Sequence, residues 1–300
     1  MIKVANAPCS WGVLEFEGKT ASPSYTQVLD EIAESGYAGT ELGDWGFMPA
    51  EPGLLRDALG RRGLAMVGAF VTTRLADPRS YEESRQMAVA TARLMAAAGN
   101  GGAPVVVLSD DPMSNPERAR AAGRVHAGLS LTEHQWDEAA RGVERIARAV
   151  RDEAGLRTVF HHHCAAFVET PQEIDALLQH TDPTLVGLCL DSGHATYGGG
   201  SPVELLSLYR PRIWHVHFKD CEPRLARRAR AEEWDYRTAL RHGLFCELGQ
   251  GSVDFAALLR DLEHSGYDGW VVVEQDVLPK LGAPLESAIR NRRYLRQMGI

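Results

Sequence analysis

The 300-residue chain is 44% hydrophobic and 24% charged, with a formal net charge of −8. Those values describe a globular protein and argue against a basic nucleic-acid-binding face. No apolar run approaches the roughly 18 residues of a membrane span. Five scattered cysteines without C-x-x-C spacing disfavour structural zinc and a disulfide framework. The opening MIKVANAPCSWG is too short and too poor in apolar residues for a signal peptide, so the cytoplasm is the expected location.

In chain order, short β-rich runs alternate with segments of helical period. The predicted strands are KVANA (3–7), GTEL (39–42), LAMVGAF (64–70), PVVVL (104–108), RTVFHH (157–162), LVGLCL (185–190), IWHVHF (213–218) and WVVVE (270–274). Between them run helices such as SYTQVLDEIAESG, SYEESRQMAVATARLMAAAG, TEHQWDEAARGVERIARAVRDEAG and FAALLRDLEHSG. Gly36, Gly99, Gly155 and Gly266 stand where left-handed helix caps are expected. Eight strand–helix units in this length predict a (β/α)8 TIM barrel, an α/β fold forming one domain over 1–300. A doubly wound sheet fits less well, because NAPCSWG after the first strand is no G-x-G-x-x-G phosphate loop. The longest irregular stretch, about 219–252, reads as a lid-like insertion with a helix-like centre.

In a barrel, the reactive side chains gather at the C-terminal strand ends. These ends carry Cys9 and Trp11, then Glu41, then His161 to His163. Asp191 and His194 follow strand 6, His215, His217, Lys219 and Asp220 end strand 7, and Glu274 ends strand 8. A carboxylate closing an apolar strand is costly unless paired or coordinated. Asp191, His217 and Glu274 therefore read as ligands of a divalent ion, Mn²⁺ or Co²⁺ foremost, with Zn²⁺ or Mg²⁺ as alternatives. A fourth ligand is expected from strand 5. His161 and His163 share one face by strand alternation, so either can supply it, and His162 points away. Asp191 can also be read as a helix N-cap. Trp11 and Trp45 are expected to wall a sugar ring, with Glu41 beside them in substrate binding. Trp214 is expected to pack against helices, His215 to be a hydrogen-bonded core residue, and Cys9 and Cys189 to be inert buried thiols.

LDSGH (190–194), HVHFKD (215–220) and VVVEQD (271–276) resemble the metal-binding strand ends of the xylose isomerase-like TIM barrels. Within that superfamily NAPCSWGV, GYAGTELGDWGFMP, AGRV, FHHHCAAFVET and GLCLDSGHATYGGGSP look like the inosose (2-keto-myo-inositol) dehydratases. The resemblance implies a metal held by Asp191, His217 and Glu274, with His194 and Lys219 beside the substrate. Most members carry a Glu where this chain has His161, so that position implies a ligand. The ketose epimerases use one glutamate from strand 5 and one from strand 8. Without the first, a dehydratase fits better than an epimerase. LFCELGQGSVDF (244–255) also departs from the V-P-G-x-G pattern of the dehydratases.

The function so implied is a metal-dependent lyase that removes water from a polyhydroxylated cyclic ketone, an inosose, through a metal-stabilised enolate. Glu274, His194, His163 and Lys219 are the candidates for moving protons. The alternative is a sugar isomerase or ketose epimerase using enediolate chemistry. An endonuclease IV-type phosphodiesterase would want a basic DNA groove, and a non-catalytic sugar-binding barrel is a further reading. The expected partner is a small polyol ketone or sugar, with no nucleic acid and no membrane. Homo-oligomerisation is left open.

Overall fold

The β-branched runs become the strands of a closed parallel barrel. The computed structural model describes residues 2–14, 23–99, 101–277 and 282–300. Its strands are β1 (Lys3–Asn6), β2 (Gly39–Glu41), β3 (Ala65–Thr73), β4 (Val105–Asp110), β5 (Arg157–His161), β6 (Val186–Asp191) and β7 (Ile213–Phe218). A short antiparallel ribbon of β8 (Asp220–Cys221) and β9 (Phe245–Cys246) precedes the last barrel strand, β10 (Trp270–Val273). The barrel runs β1-β10-β7-β6-β5-β4-β3-β2 and closes on itself, as eight parallel strand–helix units predict.

The helices α1 (Tyr25–Glu34), α2 (Pro52–Gly60), α3 (Tyr81–Ala98), α4 (Pro116–Ala121), α5 (Glu133–Ala154) and α6 (Pro171–His180) follow the first strands. They continue with α7 (Ser192–Tyr197), α8 (Pro202–Tyr209), α9 (Pro223–Ala231), α10 (Tyr236–Arg241), α11 (Phe255–His264) and α12 (Pro284–Gln297). Outward strand residues such as Val106, Leu108, Phe160 and Leu190 pack with α-helical Ile146, Val150 and Leu177 in the main core. Each such buried side chain contributes on the order of 1.5–3 kcal/mol. Inside the barrel the filling is split between Ala5, Ala7, Val67, Trp270 and Val272 on one side and Val105, Val107, Val159 and Cys189 on the other. Among the described residues, no helix is long and apolar enough to cross a membrane.

Two local readings need correction. Gly36, Gly155 and Gly266 take the left-handed cap conformation, but Gly99 has φ −12° and the positive φ falls on Gly101 instead. Trp214 does not face the helices. Between β6 and β7 the register slips, Leu188 pairing with Ile213 and Cys189 with His215, so Trp214 is passed over. This bulge re-aims its indole onto Gly187, where a Cβ would stand 2.3 Å away, and into the interior cluster with Val159 and Cys189.

The segment 219–252 is more ordered than an irregular loop. It carries α9, α10 and the β8–β9 ribbon, and it buries a second small core. Ala226, Ala229, Tyr236, Leu240 and Phe245 pack there against Cys164 and Ala165 of the loop after β5 and Tyr197 of α7. Its two ends are tied by Asp220, whose carboxylate accepts the N–H groups of Gly249, Gly251 and Val253. A Cβ at Gly251 would stand 2.2 Å from Asp220 Oδ1, so close approach requires the glycine there.

Candidate active site

Strand register brings the predicted strand-end residues together. His161 pairs with Cys189, Asp191 pairs with His217, and Val272 also pairs with His217. The Glu274 N–H donates to Phe218 O, extending the last strand by one residue. Ligand atoms of His161, Asp191, His217 and Glu274 consequently lie within 4.8 Å of one another. Asp191 Oδ2 is 3.6 Å from His161 Nε2 and 3.8 Å from His217 Nδ1, and Glu274 Oε1 is 3.3 Å from His217 Nδ1.

All four side chains are buried, yet His161 Nδ1 and Nε2, Asp191 Oδ2 and His217 Nδ1 have no hydrogen-bond partner. Buried polar atoms are ordinarily paired, and lone pairs facing one another repel. Two carboxylate oxygens and two imidazole nitrogens converging on one point fit a divalent transition ion. The charges agree. Burial pushes His161 well below the usual histidine range. Burial alone would do the same to His217, but Cys189, Glu274 and Glu41 hold it well above that range. Glu274, although buried, is held well below the usual carboxylate range by His217 and Lys219.

Asp191 serves two ends with its two oxygens. Oδ1 accepts the His194 N–H at 2.8 Å as the N-cap of α7, while Oδ2 faces the cluster. Of the two strand-5 candidates, His161 joins the cluster. His163 lies beyond the end of β5, its Nδ1 2.6 Å from Cys164 O, grouped instead with His194 and Asp276. His162 points away, its Nε2 accepting the Asp191 N–H at 3.1 Å. His215 is buried, with Nε2 2.8 Å from Glu41 Oε1, as a hydrogen-bonded interior residue should be.

Lys219 sits above the cluster, fully buried. Its Nζ is 3.0 Å from Glu274 Oε2, 2.9 Å from Asp276 Oδ1, 3.5 Å from Asp191 Oδ2 and 3.0 Å from His194 Nε2. Burial disfavours its charge, but Asp191, Asp276 and Glu274 more than offset that and raise its pKa well above the usual lysine value. His163 is the opposite case, with burial and His161 lowering it to about 3.

A mouth cavity of about 510 Å³, counting space open to solvent, is lined by Cys9, Phe70, His161, His163, Lys219, Glu274 and Asp276 among others. Glu41 also lines it, although its Oε1 is engaged by His215 and His217. Cys9 is thus at the mouth rather than sealed away, whereas Cys189 is fully buried. His194 lies behind the lining, covered by Phe245 and Tyr236. Asp276 was not anticipated; it lies two residues past Glu274, beyond the end of β10.

Neither predicted tryptophan lines the mouth. After β1 the chain makes a 3-10 turn, Pro8–Trp11, which breaks strand alternation and carries the Trp11 indole into the outer core. Its Nε1 donates to Glu31 Oε2 on α1 at 2.5 Å. Trp45 is 36% exposed, outside the residues lining the cavity.

The loop after β5 is held from several sides. Asp110 Oδ2 accepts the Phe167 N–H, Arg118 is buried against Glu173 at 2.8 Å and donates to Ala166 O, and the Cys164 N–H donates to His194 Nδ1. Glu169 accepts the N–H groups of Gly123 and of Ala165, a non-glycine residue at φ 74°. That bracing fixes the conformation from which His163 enters the mouth.

The family model of the xylose isomerase-like TIM barrels matches residues 29–298. An inosose dehydratase of Geobacillus kaustophilus (strain HTA426) is 33% identical over 296 residues, covering 99% of this chain and 94% of that one. An inosose dehydratase of Clostridium botulinum (strain Alaska E43 / Type E3) is 31% identical over 299 residues, covering 99% and 97%. Among solved structures, L-ribulose 3-epimerase superposes with a TM-score of 0.69 at 15% identity, over 99% of this chain and 94% of that one. The 3-keto-D-glucoside 4-epimerase from E. coli does so at 0.67 and 14%, over 99% and 100%. At such identities the two structures speak to the fold alone.

Proposed function

The chain belongs to the xylose isomerase-like TIM barrels, and from that premise we propose that it is a metal-dependent dehydratase acting on an inosose. The observation that carries the metal is the set of buried, unpartnered atoms of His161, Asp191 and His217 facing Glu274. The full-length likeness to inosose dehydratases supports the reaction class. His161, Asp191, His217 and Glu274 would hold the ion, Mn²⁺ or Co²⁺ foremost. When bound, it supplies Lewis-acid polarisation of a ketone and a neighbouring hydroxyl.

The chain's own groups divide the proton work. Elimination takes a proton from the carbon beside the carbonyl and gives one to the hydroxyl leaving the next carbon. His163 faces the cavity with its Nδ1 against Cys164 O, which leaves a lone pair on Nε2, and the Glu274 carboxylate lining the same cavity is the second group able to accept the proton. Lys219 faces the same cavity as a cation held by three carboxylates and is the donor for the departing hydroxyl. Asp276 holds the Lys219 ammonium in place, with His194 Nε2 3.0 Å from it. The segment 219–252 covers the site with Tyr236 and Phe245 and acts as a lid that excludes water. A ketose epimerase is less well served, because His161 stands where a second glutamate base would come from strand 5.

The test is to strip the purified protein with a chelator and incubate it with 2-keto-myo-inositol, with and without Mn²⁺ or Co²⁺. Metal-dependent loss of water with appearance of a dione is expected. A rearranged ketose formed without loss of water would favour the isomerase or epimerase reading.

A further inference from the structure

We infer that Glu41 is a positioning residue that selects which nitrogen of His217 is presented to the ion. Glu41 closes β2 and is buried inside the barrel. The β2–β3 register slips there, Thr40 pairing with Met66 but Glu41 with Gly68, so the carboxylate is turned toward a residue without a side chain. A Cβ at Gly68 would stand 3.0 Å from Glu41 Oε1, and the glycine leaves that oxygen room.

Oε1 then accepts two ring N–H groups, His215 Nε2 at 2.8 Å and His217 Nε2 at 3.0 Å. A neutral imidazole carries one proton, and the hydrogen bond made by one nitrogen decides what the other offers. With Nε2–H committed to Glu41, the His217 lone pair is on Nδ1. That is the atom left unpartnered 3.3 Å from Glu274 Oε1 and 3.8 Å from Asp191 Oδ2. Glu41 therefore acts on the ion site through His217, while its side chain also lines the cavity. The triad of Glu41, His215 and His217 could itself enclose an ion. Its separations are ordinary N–H···O lengths, and the unpaired atoms lie in the upper cluster, so the orienting role is favoured.

The inference rests on the reading of the upper cluster as a divalent-ion site. Zn²⁺ is a diamagnetic probe for the full-length protein labelled with ¹⁵N-histidine. The loaded protein should hold one Zn²⁺ per chain, with His217 bound through Nδ1 and a protected Nε2–H. Glu41→Gln, which keeps shape but loses charge, should weaken Zn²⁺ binding in chelator competition roughly 10-fold, and Glu41→Ala roughly 100-fold. Coordination of His217 through Nε2, or unchanged affinity in folded Glu41→Gln, would overturn the role of Glu41 while leaving the ion site standing. Two ions per chain, one lost in Glu41→Gln, would make the triad a metal site instead. Failure of the wild-type chain to bind any divalent ion would remove both readings. Should neither variant fold, the wild-type spectrum alone decides which nitrogen binds.

Discussion

Lys219 Nζ lies 3.0 Å from Glu274 Oε2, both side chains almost wholly removed from water. The ammonium is the common partner of Glu274, Asp276 and Asp191, so removing it strands three buried carboxylates. Lys219→Met should cost about 3–5 kcal/mol of stability and lower turnover roughly 100-fold or more. Added divalent ion should recover part of the lost stability, since it supplies positive charge to the same oxygens, but none of the turnover. Denaturant titration with and without Mn²⁺ measures the first effect and steady-state kinetics the second. Recovery of turnover by metal would remove Lys219 from the proton chemistry.

The metal reading is tested without disturbing the helix that Asp191 caps. Asp191→Asn keeps an oxygen to accept the His194 N–H at Oδ1 and removes the charge at Oδ2. It should retain the fold while ion content drops far below one per chain, as should Glu274→Ala. Asp191→Ala loses the cap as well, at a cost of about 1 kcal/mol. Elemental analysis beside far-UV circular dichroism reads both quantities. Full occupancy in Asp191→Asn and Glu274→Ala would remove the ligand set.

His162 provides a contrast with its neighbour His161. Its Nε2 accepts the Asp191 N–H, and Nδ1 has no partner. His162→Ala opens a cavity and leaves that N–H unpaired, a loss of about 1–3 kcal/mol. His161→Ala should instead lower ion affinity much more than stability. Paired chelator competitions and melting curves on the two variants give the comparison. A larger affinity loss at His162 would mean that the face assignment is reversed.

The fold and the centre of the site were legible because strand ends converge in a barrel whatever its loops do. Asp191, His217 and Glu274 each terminate a β-rich run, so parity and position suffice. Parity could not separate His161 from His163, which share it. The deciding fact is that β5 stops at His161. Trp11 misled because the turn Pro8–Trp11 abolishes alternation just past β1. Trp214 and Glu41 depend on register slips, set by pairing between strands that no local pattern records. Glu41 meets His215 across 174 positions. Asp276 lies past the end of β10, where strand parity no longer applies.

Glu169 makes a pH prediction away from the cluster. Burial raises it to about 7, in spite of the Gly123 and Ala165 N–H groups that favour its charged form. A carboxyl whose folded value exceeds its ordinary one contributes its stability fully below about 4.5 and loses it as pH rises through about 7. The span corresponds to roughly 3 kcal/mol at most. Glu169→Gln cannot titrate and turns an amide NH₂ toward one of those N–H groups, so it should be less stable throughout. Its deficit against wild type should nevertheless shrink between pH 5 and pH 8. Urea titrations at the two pH values give the difference, and a deficit that stays constant would mean that Glu169 is already charged at pH 5.

Tyr236 is one of the points where the segment 219–252 reaches the site, its hydroxyl 3.1 Å from Asp276 Oδ2. The segment is also fastened at a distance. Arg230 donates to Gly123 O and Tyr197 O, and Arg124 donates to Trp234 O. Deleting about 225–242 would therefore expose the small core shared with Cys164 and Tyr197, and lost turnover would be confounded with lost packing. Tyr236→Phe removes only the hydroxyl. If the segment acts as a lid over Lys219 and Asp276, turnover should fall roughly 10- to 100-fold, the worth of one hydrogen bond to a charged group. Ion affinity should stay within about 2-fold, because the proposed ligands come from β5, β6, β7 and the end of β10 and none from the segment. An equal fall in both quantities would make the segment part of the ion site. An unchanged turnover would reduce it to a packing element.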